Sequence, residues 1–183
     1  MNSLLLAVLL LFSAVFLNSS FMSQSQVSNL NDPHIIVRKK VRKLELFEGD
    51  KLIKKYKMVL GFSPSGDKAV EGDGRTPEGD FYVFTKNGKS SYYLSLGLSY
   101  PNVQDAKRGL SERLITREEY DQIIDAVSRK QMPPQKTRLG GEIYIHGGGT
   151  DEDWTDGCVA VKNEDIKEIF DAAKVGMRVT ILP

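Results

Sequence analysis

Cys158 is the one cysteine of the chain, and His146 precedes it by 12 positions. Between them runs Gly147-Gly148-Gly149-Thr150-Asp151-Glu152-Asp153-Trp154-Thr155-Asp156-Gly157. A cysteine attacks a carbonyl carbon as its thiolate. It needs an imidazole within hydrogen-bond reach to take the proton near neutral pH. The spacing offers such a pair, with Cys158 as candidate nucleophile and His146 as candidate base. Gly157, directly before the thiol, allows an unusual φ and the close approach of a substrate backbone. The main-chain N–H groups of Gly157 and Cys158 are candidates to face a developing oxyanion. The carbonyl of Gly147 is placed to accept from the second ring nitrogen and fix the tautomer of His146. The same residues also fit a glycine-rich loop that holds an inert, buried thiol.

Two strands must position this pair. Ile143-Tyr144-Ile145 reads as a short buried strand that delivers His146 at its end, and Val159-Ala160-Val161 continues from Cys158. A strand, a returning loop and a second strand bring both side chains to one sheet edge. Upstream, Lys43–Phe47 and Leu52–Leu60 flank Glu48-Gly49-Asp50, a hairpin pattern. Gly61–Gly79 is dense in Gly, Pro and Asp and reads as loop, as does Pro101–Leu110. Phe81–Thr85, Tyr92–Leu96 and Met177–Leu182 read as strands. Thr116-Arg117-Glu118-Glu119 predicts a capped helix with Tyr120, Ile123, Ile124 and Val127 on its apolar face. Asn163 is expected to cap a second helix that buries Ile166, Ile169, Phe170 and Ala173. The expected class is mainly β with two helices (α+β), a sandwich of mixed sheets, because no regular βαβ alternation is present.

The first 31 residues carry no charged side chain, and Leu4–Leu17 is almost wholly apolar. That run is short for a membrane span and fits the apolar core of a secretory leader. Residues 1–25 are therefore expected to be a signal peptide or N-terminal anchor, 26–34 a linker, and 35–183 one domain. Either form of the leader exports the domain, to the periplasm or cell envelope, and membrane contact is expected only through this segment if it stays uncleaved. The formal net charge of +1 gives no global field that would favour nucleic acid. The basic run Arg38–Lys43 reads as a solvated strand edge. Two histidines and one cysteine cannot build a zinc cluster, and the acidic group Asp151, Glu152, Asp153 and Asp156 lacks the glycine that a calcium loop needs. No metal or cofactor is expected.

Two separated blocks give the chain a resemblance. Ile145-His146-Gly147 followed by Thr155-Asp156-Gly157-Cys158 resembles the active-site signature of the L,D-transpeptidase (YkuD-like) catalytic domain. Glu71-Gly72-Asp73-Gly74-Arg75-Thr76-Pro77-Glu78-Gly79-Asp80-Phe81-Tyr82 is similar to a second segment of that family. The resemblance spans roughly residues 35–183. Asp153–Ala160 and Ser95–Asn102 look most like the murein-associated branch.

The resemblance implies a cysteine enzyme of peptidoglycan biogenesis or degradation, with a bearing on cell shape. Cys158 would attack the carbonyl at the L-centre of diaminopimelate in a tetrapeptide stem, D-Ala would leave, and a thioester would form. An amine on a second stem or on a murein-linked lipoprotein would resolve it. Thr155, Trp154 and Arg75 are candidates for substrate contact, and Arg138 and Lys162 are further candidates for carboxylates. Ala160 stands where many members carry arginine, and Asp156 where histidine is common. Hydrolysis of the same bond class, by an L,D-carboxypeptidase or a murein–lipoprotein amidase, stays open, as do an inert murein-binding module and a peptidase of ordinary L-peptides. The segment Leu98–Leu110 with the helix after Thr116 is a candidate lid.

Overall fold

The computed structural model describes residues 30–183. The expected leader (1–25) and the first residues of the expected linker lie outside the described residues. Among the described residues are eight strands: β1 (Pro33–Arg38), β2 (Lys43–Glu48), β3 (Lys51–Lys57), β4 (Gly79–Ser90), β5 (Tyr93–Leu98), β6 (Tyr144–His146), β7 (Val159–Ala160) and β8 (Arg178–Leu182). Three helices accompany them: α1 (Val103–Ser111), α2 (Arg117–Ser128) and α3 (Asn163–Ala172).

The strands form one mixed sheet in the order β3-β2-β1-β8-β4-β5-β6-β7. β1 runs parallel to β8 and β6 parallel to β7, while the other neighbours are antiparallel. β4 is the bend. Its first part, Gly79–Tyr82, pairs with β8, and its remainder pairs with β5 through two irregularities in register. Such shifts sharpen twist and let one strand serve two directions. The sheet curls until the segment after β3 bridges the far end, Val59 to Ala160 and Gly61 to Thr155. The expected sandwich is thus one sheet wrapped on itself.

Inside the curl lies the main core. Ile35 and Val37 of β1, Leu44 and Leu46 of β2, Leu96 and Leu98 of β5, and Val159 of β7 are all buried. Each such side chain stabilises the fold by about 1.5–3 kcal/mol through removal from water. α3 closes this core with Ile166, Ile169 and Ala172. α1 and α2 build a second cluster around Ala106, Ile115, Ile123 and Leu139.

Several expectations change. Among the described residues there are three helices, not two: the expected loop 101–110 holds most of α1. Asn102 accepts from the amides of Gln104 and Asp105 at 2.8 and 3.0 Å, and Asp105 accepts from the Asn102 amide at 2.9 Å. This capping box starts a short helix whose buried residues are Asp105, Ala106 and Gly109, so few large apolar side chains mark its period. Asn163 does not cap α3. Lys162 holds that position without a side-chain bond, and Asn163 accepts instead from the Gly148 amide at 3.0 Å. β1 begins at Pro33, inside the expected linker. In the basic run, Lys39 is buried, because its ammonium is met by Glu78 and by the carbonyls of Gly66 and Thr76.

Candidate active site

The parallel pair β6–β7 sets the geometry. Ile145 is level with Val159, and His146 with Ala160. Parallel neighbours need a crossover of about a dozen residues, and the stretch 147–158 supplies it. Cys158 stands one step before β7, beside Tyr144, whose amide points at Sγ from 3.4 Å. Side chains alternate along strands, so residues two apart share a face. His146 and Cys158 accordingly face one cavity of about 720 Å³.

β7 is short, and its neighbours hold it on both sides. Val59 and Ala160 exchange two backbone hydrogen bonds, both at 2.9 Å. The loop before it is pinned by Asp153, which accepts from the Leu60 amide at 2.8 Å and pairs with Arg42 at 2.6 Å. Asn163 holds the Gly148 amide near the start of the loop. Gly147 must lack a side chain, since a Cβ there would lie 2.4 Å from Asn163 Oδ1.

The backbone of Cys158 is fixed by two threonines. Thr155 Oγ1 donates to the Cys158 carbonyl at 2.8 Å and accepts from the Gly157 amide at 3.2 Å. Thr76 Oγ1 accepts from the Gly61 amide at 3.1 Å and reaches the same carbonyl at 3.4 Å. Here the Gly-Asp-Gly-Arg-Thr-Pro block meets the cysteine motif. Gly157 adopts φ +133°, and a Cβ there would sit 2.7 Å from the Arg75 carbonyl. Its amide is committed to Thr155, so of the two expected oxyanion donors it is already engaged.

His146 is 3% exposed. Its Nδ1 lies 2.6 Å from the Gly147 carbonyl. A carbonyl only accepts, so Nδ1 carries the proton and Nε2 offers its lone pair. Tyr92 stacks on the imidazole with centroids 4.6 Å apart, and Trp154 meets it edge-on at 5.5 Å. Burial lowers the imidazole's pKa, against a smaller opposing effect of the Gly147 bond.

The thiol is also neutral at rest. Burial pushes its pKa up to about 11; the Tyr144 amide and Lys68 oppose this, and Asp156 and Glu142 add to it. Sγ lies 3.5 Å from the Glu142 carbonyl, a direction that suits an S–H donor. Both shifts favour a neutral thiol and a neutral imidazole over an ion pair.

The remaining candidates divide. Trp154 and Thr155 line the cavity, but Thr155 is buried and its hydroxyl serves the loop. Arg75 contributes its backbone; its guanidinium turns away to the Asp67 carbonyl at 3.4 Å. Arg138 and Lys162 do not line the cavity, and neither do residues 98–130, so the expected lid is a flank. Sequence reasoning passed over Tyr92, Ser95, Glu142 and Lys68, which do line it. Lys68 had one available signal: a lysine five positions before Asp73 of the second motif block. Among the described residues no cluster of three or more metal-ligating side chains occurs, and no helix is long and apolar enough to cross a membrane.

The YkuD family, described as the L,D-transpeptidase catalytic domain, matches residues 32–181. Comparison with curated protein sequences finds no match. Among solved structures, Bd1075 of Bdellovibrio bacteriovorus superposes with a TM-score of 0.55 at 23% identity, covering 84% of this chain and 48% of that one. Pgp2 of Campylobacter jejuni, titled a helical cell shape determining protein, gives 0.53 at 22% identity, covering 86% and 53%. The chain spans about half the length of these neighbours, which share its fold.

Proposed function

The chain belongs to the L,D-transpeptidase catalytic-domain family, and on that premise we propose that it is an exported cysteine acyltransferase of peptidoglycan stem peptides. One observation carries the reading. The chain's single cysteine and a buried histidine locked as the Nδ1–H tautomer share one cavity.

The chemistry follows from those positions. Nε2 of His146 takes the Cys158 proton as the thiol attacks the carbonyl at the L-centre of diaminopimelate. The Cys158 amide is the main-chain donor proposed for the developing oxyanion, with Gly157 as its support. The intermediate collapses, His146 returns the proton to the departing D-Ala amine, and a thioester remains on Sγ. An acceptor amine then attacks the thioester, His146 takes its proton, and the thiol leaves protonated. Water in place of the amine gives hydrolysis through the same acyl-enzyme. No step calls on a metal or cofactor. The cell envelope is the proposed place of action. A second stem or a murein-linked lipoprotein is the proposed acceptor, and an influence on cell shape is proposed by analogy with Pgp2.

Intact-mass spectrometry of the purified protein tests this reading. A carbapenem adduct that vanishes in Cys158→Ala, with D-Ala released from a disaccharide-tetrapeptide, is the expected result. A folded protein that forms neither adduct nor product overturns it and points to an inert wall-binding module. Adding an amine acceptor distinguishes transfer from hydrolysis by the mass of the product.

A further inference from the structure

Lys68 is 3% exposed, yet it lines the cavity that holds Cys158. A buried ammonium is costly unless its charge and donors are met. Asp73 meets the charge at 2.9 Å, and the Val70 carbonyl accepts a second N–H at 3.1 Å. An ammonium has three donors, and among the described residues the third has no acceptor. Asp73 is itself engaged on both oxygens: Oδ1 also takes the Arg75 amide at 3.0 Å, and Oδ2 takes those of Ala69 at 2.7 Å and Val70 at 3.1 Å.

The lysine is also immobile. Arg108 donates to the carbonyls of Lys68 and Ala69, both at 3.1 Å, which fixes the backbone. Gly140 walls the stem, where a Cβ would lie 3.5 Å from Lys68 Cε. The other cavity lysine, Lys89, is exposed near the end of β4. Glu71, Glu142 and Asp156 also line the cavity, with Glu71 and Lys68 both against Gly140, and their charge disfavours an anion that does not reach the ammonium. The one rigid, desolvated positive charge in the cavity is therefore Lys68, with a donor to spare. Its charge also favours the Cys158 thiolate.

We propose that Lys68 is a specificity residue that binds a carboxylate of the acyl-donor peptide through its third N–H, so that the enzyme selects donors with a free carboxylate within one residue of the scissile bond. This rests on the acyltransferase reading above. A tetrapeptide stem offers two such groups: the terminal carboxylate of D-Ala and the free carboxylate at the second centre of diaminopimelate.

The test compares three tetrapeptides, the free acid and the two mono-amides, on wild type and Lys68→Met, with acylation of Cys158 read by mass. One mono-amide is expected to lose about 10- to 100-fold in kcat/KM on wild type, the range for a charge-assisted hydrogen bond, and its identity names the carboxylate. In Lys68→Met, the free acid and that amide are expected to react alike. Iodoacetamide, which has no carboxylate, reports the general effect of the lost charge on the thiol. Equal rates for all three peptides on wild type, or a preference for the free acid that survives in Lys68→Met, overturns the proposal. If Lys68→Met does not fold, Lys68→Gln takes its place with the same expected and overturning results, and equal rates for the three peptides on wild type overturn the proposal without either variant. Failure of wild type to acylate with any peptide instead overturns the acyltransferase reading.

Discussion

The ring of Tyr92 lies over the imidazole of His146, with centroids 4.6 Å apart and planes inclined by 25°. Trp154 packs against both, 5.3 Å from Tyr92 and 5.5 Å from His146. The two rings keep water from the imidazole, and burial lowers its pKa. Tyr92→Ala opens one face to water. The His146 pKa is then expected to rise toward its ordinary value of 6.5, as read by NMR titration of the ring protons. An unchanged titration would mean that Tyr92 does not shield the imidazole.

The thiol gives a distinct pH signature. With a pKa of about 11, roughly one Cys158 in a thousand is thiolate at pH 8. Alkylation by iodoacetamide is expected to rise about tenfold per pH unit from about pH 7 to 10 without a plateau. Asp156→Asn removes a nearby negative charge and is expected to move the profile to lower pH. Stability follows the same group. A folded thiol that keeps its proton above the ordinary value of 9.0 stabilises the fold below that pH, and this contribution is lost as pH climbs toward 11. Cys158→Ala is expected to flatten that alkaline decline in thermal melts.

Gly157→Ala places a methyl 2.7 Å from the Arg75 carbonyl at φ +133°. Backbone cannot yield as a flexible side chain does. The expected cost is on the order of 3 kcal/mol, measured by denaturant unfolding, with loss of carbapenem adduct formation even where the protein remains folded.

Thr155 acts through its hydroxyl. Thr155→Val keeps the shape but removes the bonds to the Cys158 carbonyl and the Gly157 amide, leaving both buried groups short of a partner. A loss of about 1–3 kcal/mol is expected, with slower acylation. Thr155→Ser is expected to restore the acylation rate. A serine variant as slow as valine would show that the methyl, not the hydroxyl, matters.

What the sequence revealed, and what it hid, divides by the range of the contacts. His146 and Cys158 were legible because a parallel strand pair fixes them through short local spacing. The role of the Gly147 carbonyl was legible for the same reason, since it lies one residue from the ring it orients. The direction of the Arg75 guanidinium, toward the Asp67 carbonyl, was not legible because it depends on loop dihedrals that composition does not encode. Tyr92 reaches His146 across 54 positions and Lys68 reaches the thiol's cavity across 90, so neither contact has a local pattern. α1 was hard to read because its start is a polar capping box and its buried face sets Asp105 and Gly109 beside Ala106. Gly109 stands within it because a Cβ would press on Leu139 at 2.9 Å.

β8 lies between β1 and β4, in the middle of the strand order. Residues 33–57 and residues 79–98 belong to opposite halves of the sheet, and the strand joining them, residues 178–182, is made after both. Vectorial synthesis therefore delivers two unjoined half-sheets, each with an open edge, and only later the piece that unites them. Contacts this distant in sequence close slowly. The thiol sits just before a two-residue strand at one rim, and that strand is held by β6 on one side and by Val59, from the segment after β3, on the other. A chain released before residues 178–182 are made would thus hold Cys158 in one half of the sheet with no central strand to tie it to the other half.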